Sequence, residues 1–461
     1  VRRGERGERG ERPISSNKVP FCKGDRLVTF PDSQNQISLL VGNSANMSED
    51  ESYPFSKPSP SEHPLDDQAE LEEEPTERDG KRKRSPQHPN TPDIQEDNAR
   101  PQYSDHQDTD AEYYDPTGLI TPLGRELTID CLLCLSRSDY GSIARLSRNF
   151  RDLIRSGELY RLRRQSGITE YWVYFSCNVL EWEAYDPYRG RWITSIPKMP
   201  PNFECFVLAD KESLAVGTEL LVFGIEVGSH IVLRYSILTN SWSAGVGMNS
   251  PRCLFGSASI GEKAIVAGGF GVQKTVLNSA ELYDSDKQTW TSLPNMNKAR
   301  KMCSGVFMDN KFYVIGGVTG TNEVLTCGEE YDLETGNWRV IPNMSAGLNV
   351  PAGAPPLVAV VKNELYAADY AENEVRKYDK RNNAWITLGK LPPRSASVNG
   401  WGLAFRACGE RLIVIGGPRA SGGGMIELNS WVPNEGGPPE WEMVASRHSG
   451  NFVFNCAVMG C

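Results

Sequence analysis

The chain has 461 residues, a net charge of −10 and 10 Trp, none of them before Trp172. The length allows two or three folding units, and the acidic balance excludes a nucleic-acid binder held by bulk electrostatics. No apolar run is long enough to span a membrane and the start lacks an apolar signal core, so a soluble, intracellular protein is expected.

Residues 1–116 hold 13 of the 30 prolines and long polar stretches. Such a segment buries too little apolar surface to offset its ordering entropy, and a disordered tail is predicted. The triplet Gly4-Glu5-Arg6, repeated three times, has a collagen-like period but is too short and has no proline there. An acidic stretch from Glu70 to Glu77 precedes Lys81-Arg82-Lys83-Arg84. Four consecutive cations on an extended chain suit the acidic groove of an import receptor, while a plain solvated charge run is the alternative. The 11 cysteines are odd in number and scattered through apolar patterns, unlike a disulfide framework. A reducing compartment is expected: nucleus, cytoplasm or both.

Composition changes at Pro116. Leu123, Leu127, Leu132, Leu133 and Leu135 supply one apolar face, and Ile143, Leu146, Phe150, Leu153 and Ile154 repeat at helical spacing after Ser138-Asp139. Ser138 and Asp139 read as N-cap residues and Gly157 as a stop, with Leu159, Tyr160 and Leu162 opening a further short helix. Three short helices over 117–166 make a core near the limit of independent stability, so this segment is expected to dock on something. Nine arginines against five acids between Arg125 and Arg164 give it a local charge of +4, but no nucleic-acid motif accompanies them. Cys131 and Cys134 form a CxxC with no second pair and read as buried helix residues rather than metal ligands.

From residue 171 onward the chain repeats itself. Trp192, Trp242, Trp290, Trp338, Trp385 and Trp441 recur at intervals of 50, 48, 48, 47 and 56 residues. Five of them follow an extended segment centred on Tyr185, Tyr235, Tyr283, Tyr331 or Tyr378. Further upstream, β-branched strands end in Gly268-Gly269, Gly316-Gly317 and Gly416-Gly417, with degenerate equivalents at Phe223-Gly224 and Tyr366-Ala367-Ala368. A period near 50 with this order of elements predicts one four-stranded propeller blade per repeat. Glycine pairs permit a sharp turn where no Cβ fits. Tyr and Trp fill the wedge between twisted sheets, and loops such as Asp332 to Trp338 reverse the outer strands. The first repeat lacks an innermost strand, whereas 451–459 has that strand's pattern and no blade of its own. The C-terminal strand is therefore expected to close blade one, giving six blades and an unusually essential C-terminus.

The repeats match the kelch motif. The preceding segment resembles an F-box, carried by Pro122-Leu123, Cys131-Leu132-Leu133-Cys134-Leu135, Ser136 to Tyr140, Ser147 to Ile154 and Leu159 to Arg164. Its opening Thr121-Pro122 departs from the usual Leu-Pro. Together, 117–461 resembles the plant F-box/kelch-repeat family, in its Skp-interacting branch. The fold expected is a multidomain, mainly β chain: tail 1–116, a small all-α F-box over 117–166 and a six-bladed kelch β-propeller over 170–461. The resemblance implies a non-catalytic substrate receptor of an SCF-type E3 ubiquitin ligase. The F-box would hold the Skp-type adaptor of a cullin–RING ligase, and the propeller a target protein. Pro122, Leu123, Leu132, Leu133, Ile143 and Leu146 would lie at or beneath the adaptor interface. A kelch scaffold with the helices as a brace is the alternative.

An enzyme is disfavoured. Only His230 and His448 lie outside the tail, too few for an imidazole-rich copper or iron site, and no P-loop, nucleophile elbow or metalloprotease motif appears. No cofactor is expected. Arg252, Arg300, Arg394 and Arg447 recur before predicted inner strands, at intervals of 48, 94 and 53. They are read as a ring at one channel mouth that binds an acidic or phosphorylated peptide, against the alternative of a repeat-specific structural arginine. Cys205, Cys253, Cys303 and Cys456 read as small buried fillers.

Overall fold

The computed structural model describes residues 119–461 except 121–122, 179, 201–212, 227–228, 349–352, 394–396, 398, 418–423 and 435–436. The tail, its Lys81–Arg84 cluster, Pro122, Cys205 and Arg394 lie outside the described residues.

Six four-stranded antiparallel sheets follow the four helices. Blade one combines the two ends of the propeller: Asn455–Gly460 is innermost, followed outward by Tyr171–Asn178, Glu181–Asp186 and Arg191–Ile193. Its closing register runs from Tyr171 opposite Gly460 to Ser176 opposite Asn455, and Glu170 N–H donates to the Cys461 carbonyl at 3.0 Å. The expected ring closure is therefore the observed one. The innermost strands of blades two to six are Ser213–Val216, Gly256–Ile260, Ser304–Met308, Leu357–Val361 and Ala404–Cys408. Each contacts the next around the ring, and the strand Asn455–Gly460 touches both the first and the last of them. Around the axis, Ser259 Oγ donates to the Ala215 carbonyl and Ser304 Oγ to the Pro356 carbonyl.

The periodic aromatics explain why the sheets stack. Tyr185, Tyr235, Tyr283 and Tyr331 lie directly across the outer strand pair from Trp192, Trp242, Trp290 and Trp338. Their ring centroids are 5.0, 5.3, 4.8 and 4.9 Å apart. Each indole N–H from blade two onward then donates backward to the segment after the preceding blade: Trp242 to Pro197 O, Trp290 to Val246 O, Trp338 to Pro294 O, Trp385 to Met344 O and Trp441 to Lys390 O. One residue per repeat thus supplies apolar area and a directional bond, the dual use that suits Trp. The outer reversals are Asx turns: Asp332 Oδ1 accepts from Glu334 and Thr335 N–H, and Asp379 Oδ1 from Arg381 and Asn382 N–H.

Helix α1 is Gly124–Leu133, α2 Tyr140–Ile143, α3 Arg148–Arg155 and α4 Glu158–Gln165. The expected single second helix is broken. A 3-10 turn at Arg137–Asp139, capped by Ser136, leads into α2, and Ser147 rather than Ser138 or Asp139 caps α3 by accepting from Phe150 N–H. Gly157, at φ 77°, ends α3 as expected. Leu132, Leu133, Tyr140, Phe150, Leu153 and Leu159 share one core with Trp172, Tyr174, Trp182, Leu220 and Tyr235 of blades one and two. The segment docks on the propeller, as its small size required, and the two form one compact unit.

Candidate functional site

The helical segment leaves several leucines exposed and buries other apolar side chains against the propeller. Leu146 is 73% exposed and Leu127 58%, and Leu123, one turn before Leu127, is also exposed. Ile143 is half-buried, while Leu132 and Leu133 are buried in the shared core. Of the expected adaptor residues in the described chain, Leu123 and Leu146 are available to a partner, and Leu132 and Leu133 lie beneath. Cys131 and Cys134 are exposed rather than buried, because they fall on the side of α1 opposite Leu132 and Leu133.

A buried arginine fastens this segment. Arg163, 1% exposed, donates to Leu133 O (3.0 Å) and Leu135 O (2.6 Å) at the C-terminal end of α1, and to Glu170 Oε1 (2.9 Å). A cation on the open carbonyls of a helix end is favourable, and Glu170 ties the same group to the start of blade one.

Among the described residues the expected arginine ring is not assembled, which corrects the expectation for Arg252 and Arg300. Arg252 and Arg300 are buried and bonded within the repeat. Arg252 donates to Gly268 O, Ser279 O and Glu281 Oε1 at 3.1, 2.7 and 2.7 Å. Arg300 donates to Gly316 O, Cys327 O and Glu329 Oε1 at 2.8, 3.1 and 2.7 Å. Each partner carboxylate also accepts two backbone N–H groups, Asn249 and Ser250 at Glu281 and Asn297 and Lys298 at Glu329. The unit holds the glycine pairs: a Cβ on Gly268 would stand 2.5 Å from Arg300 O, and one on Gly317 2.5 Å from Lys301 O. Arg447 precedes the inner strand Asn455–Gly460 but not immediately, standing eight residues ahead of it. It lies on the outermost strand of blade six, Glu442–Ser449, pairs with Glu183 at 2.6 Å and sits over Trp192. Sequence spacing put these arginines in register but carried no information on which side of the strand end each one entered.

The described cysteines of the blades are buried, as expected of fillers. Burial pushes the Cys303 thiol up to about 11 and the Cys177 and Cys408 thiols to about 12. His230 stands in blade two and His448 on the outer strand of blade six. Among the described residues no group of three or more His, Cys, Asp or Glu could hold a metal ion.

The Kelch motif model matches residues 251–297 and 299–345, blades three and four with their buried Arg–Glu units. The chain is 62% identical over 368 residues to the F-box/kelch-repeat protein SKIP11 of Arabidopsis thaliana, covering 78% of each chain. A second F-box/kelch-repeat protein of that plant is 58% identical, over 74% of this chain and 79% of its own. A more distant one is 37% identical, over 72% and 82%. With a closed six-bladed propeller, a docked helical segment and relatives matched along most of both, this chain belongs to the F-box/kelch-repeat family.

Proposed function

We propose that this protein is the non-catalytic substrate-recognition subunit of an SCF-type E3 ubiquitin ligase, its helical segment holding a Skp-type adaptor and its propeller a target protein. The observation that carries this reading is the set of exposed leucines, Leu123, Leu127, Leu135 and Leu146, on a segment that buries Leu132, Leu133, Phe150 and Leu153 in the shared core. Large apolar side chains left in water beside a filled core suit a partner. The relatives' names support the F-box assignment. The protein acts in the nucleus, the cytoplasm or both, with Lys81–Arg84 as its import signal.

A second reading, a kelch scaffold without a ligase, draws on the shared core, since a brace would also bury Leu132 and Leu133. Adaptor binding by the full chain separates the two. Wild type is compared with Leu123→Asp/Leu146→Asp, which alters only exposed positions. Capture by wild type and at least a tenfold loss in the variant, at unchanged circular dichroism, supports the ligase reading. Failure of the folded wild type to bind overturns it in favour of the scaffold.

A further inference from the structure

Among the described residues four arginine side chains are buried, and three of them have a carboxylate: Arg163 has Glu170, Arg252 has Glu281 and Arg300 has Glu329. The fourth, Arg137, has none among the described residues. Its Nη1 donates to the Cys461 Sγ and its guanidinium lies 3.8 Å over the Trp172 ring. Its Nε and Nη2 have no hydrogen-bond partner, and neither has the indole Nε1 of Trp172 beneath it. A buried cation resting on a thiol and an aromatic face, with donors unmet, is a costly arrangement that a counter-anion would relieve.

Both residues line a cavity of about 460 Å³ between the helical segment and blades one and two. Arg145, Arg151, Arg155 and Arg191 line it as well, and among the described residues no Asp or Glu does. Glu170, the carboxylate bonded to the neighbouring Ser136, is already held by Arg163 and Arg189. Four phenols complete the wall, Tyr140, Tyr160, Tyr174 and Tyr235: burial pushes Tyr174 up to about 12 and raises the other three as well, so all keep their protons. The cavity therefore offers guanidinium, indole N–H and phenol groups, and among the described residues no carboxylate opposes an anion.

We propose that this cavity is a binding site for a small polyanion bearing phosphate or carboxylate groups, one of them seated at Arg137 and Trp172. Arginine forks match both kinds of oxyanion, and the volume lies in the range of small-molecule sites. Because helices and blades both contribute to the wall, the ligand bridges them and stabilises their junction. The inference does not rest on the ligase reading.

The full chain is titrated by calorimetry with sodium tripolyphosphate and, separately, with citrate, against sodium chloride at matched ionic strength, with thermal melts in parallel. Saturable binding with a rise in Tm is expected. Arg155→Gln/Arg191→Gln, at exposed positions, should leave the unliganded Tm unchanged and weaken binding tenfold or more. Arg137→Gln, where it folds, should abolish binding. A response to tripolyphosphate alone assigns a phosphate ligand, and one to citrate alone a carboxylate. Absence of saturable binding to either probe overturns the site. So does binding that the Arg155/Arg191 pair leaves unchanged, or undiminished binding by a folded Arg137→Gln chain.

Discussion

Replacing Arg300 with Met separates a structural arginine from a recognition one. The guanidinium is 0% exposed and donates to Gly316 O, Cys327 O and Glu329 Oε1. Met matches much of its apolar stem but leaves Gly316 O without this donor, Cys327 O with only the longer bonds from Gly316 N–H and Ser345 Oγ, and Glu329 buried without its cation. Glu329 keeps the Asn297 and Lys298 N–H bonds, so the loss is that of breaking a buried pair, about 3–5 kcal/mol. At about 2 °C per kcal/mol for a unit of this size, Tm should fall by roughly 6–10 °C. In thermal melts of the full chain followed by tryptophan fluorescence, Arg300→Met/Glu329→Met should recover part of the fall, because no charge is then stranded. Melting of Arg300→Met within about 2 °C of wild type, as for a surface substitution, would refute the structural assignment. Loss of target capture at that unchanged Tm would return Arg300 to the binding surface.

Removing 455–461 takes away the innermost strand of blade one and the buried Cys456, Ala457 and Met459. The chain should lose its near-ultraviolet dichroism and aggregate, and a truncated chain with native hydrogen-exchange protection in the other blades would show that closure is dispensable. Brief alkylation of the native protein should modify Cys131 and Cys134, which are exposed, and spare Cys177, Cys303 and Cys408, whose raised thiols stay protonated. Peptide mass spectrometry reads the sites, and prompt labelling of Cys303 would contradict its burial.

The repeat architecture was legible because its devices are periodic and local. A Tyr facing a Trp seven residues later recurs in five blades and a glycine pair in three, and the unmatched final strand could be assigned by elimination. What the sequence could not convey was direction into the third dimension. Arg252 and Arg300 share the spacing of a surface ring, yet each turns inward to a glutamate 29 residues ahead. That partner, in the third strand of the same blade, recurs at Glu281 and Glu329 and was the available signal. The helical pattern likewise marked Leu123, Leu127, Leu132, Leu133 and Leu135 as one apolar face, although docking divides it into buried and exposed members. Cys131 and Cys134 were misplaced for the same reason, since period alone does not say which face meets a neighbour.

The docking itself restricts what the molecule can do. The helical segment could not pivot on the propeller without exposing Leu132, Leu133 and Trp172 together and stranding Arg163 away from Glu170. Helix α4 is further tied to blade three through the Arg164–Glu262 ion pair. Uncovering several large apolar side chains at about 1.5–3 kcal/mol each, along with a broken buried pair, would take up most of the stability of a typical domain. The exposed leucines of the helical segment and the propeller therefore hold a constant separation and angle. A partner bound to the helices and a target bound to the blades would meet in a geometry set by this one junction. The unpaired Arg137 lies inside that junction, and its neutralisation is the adjustment that would tighten the junction without moving either surface.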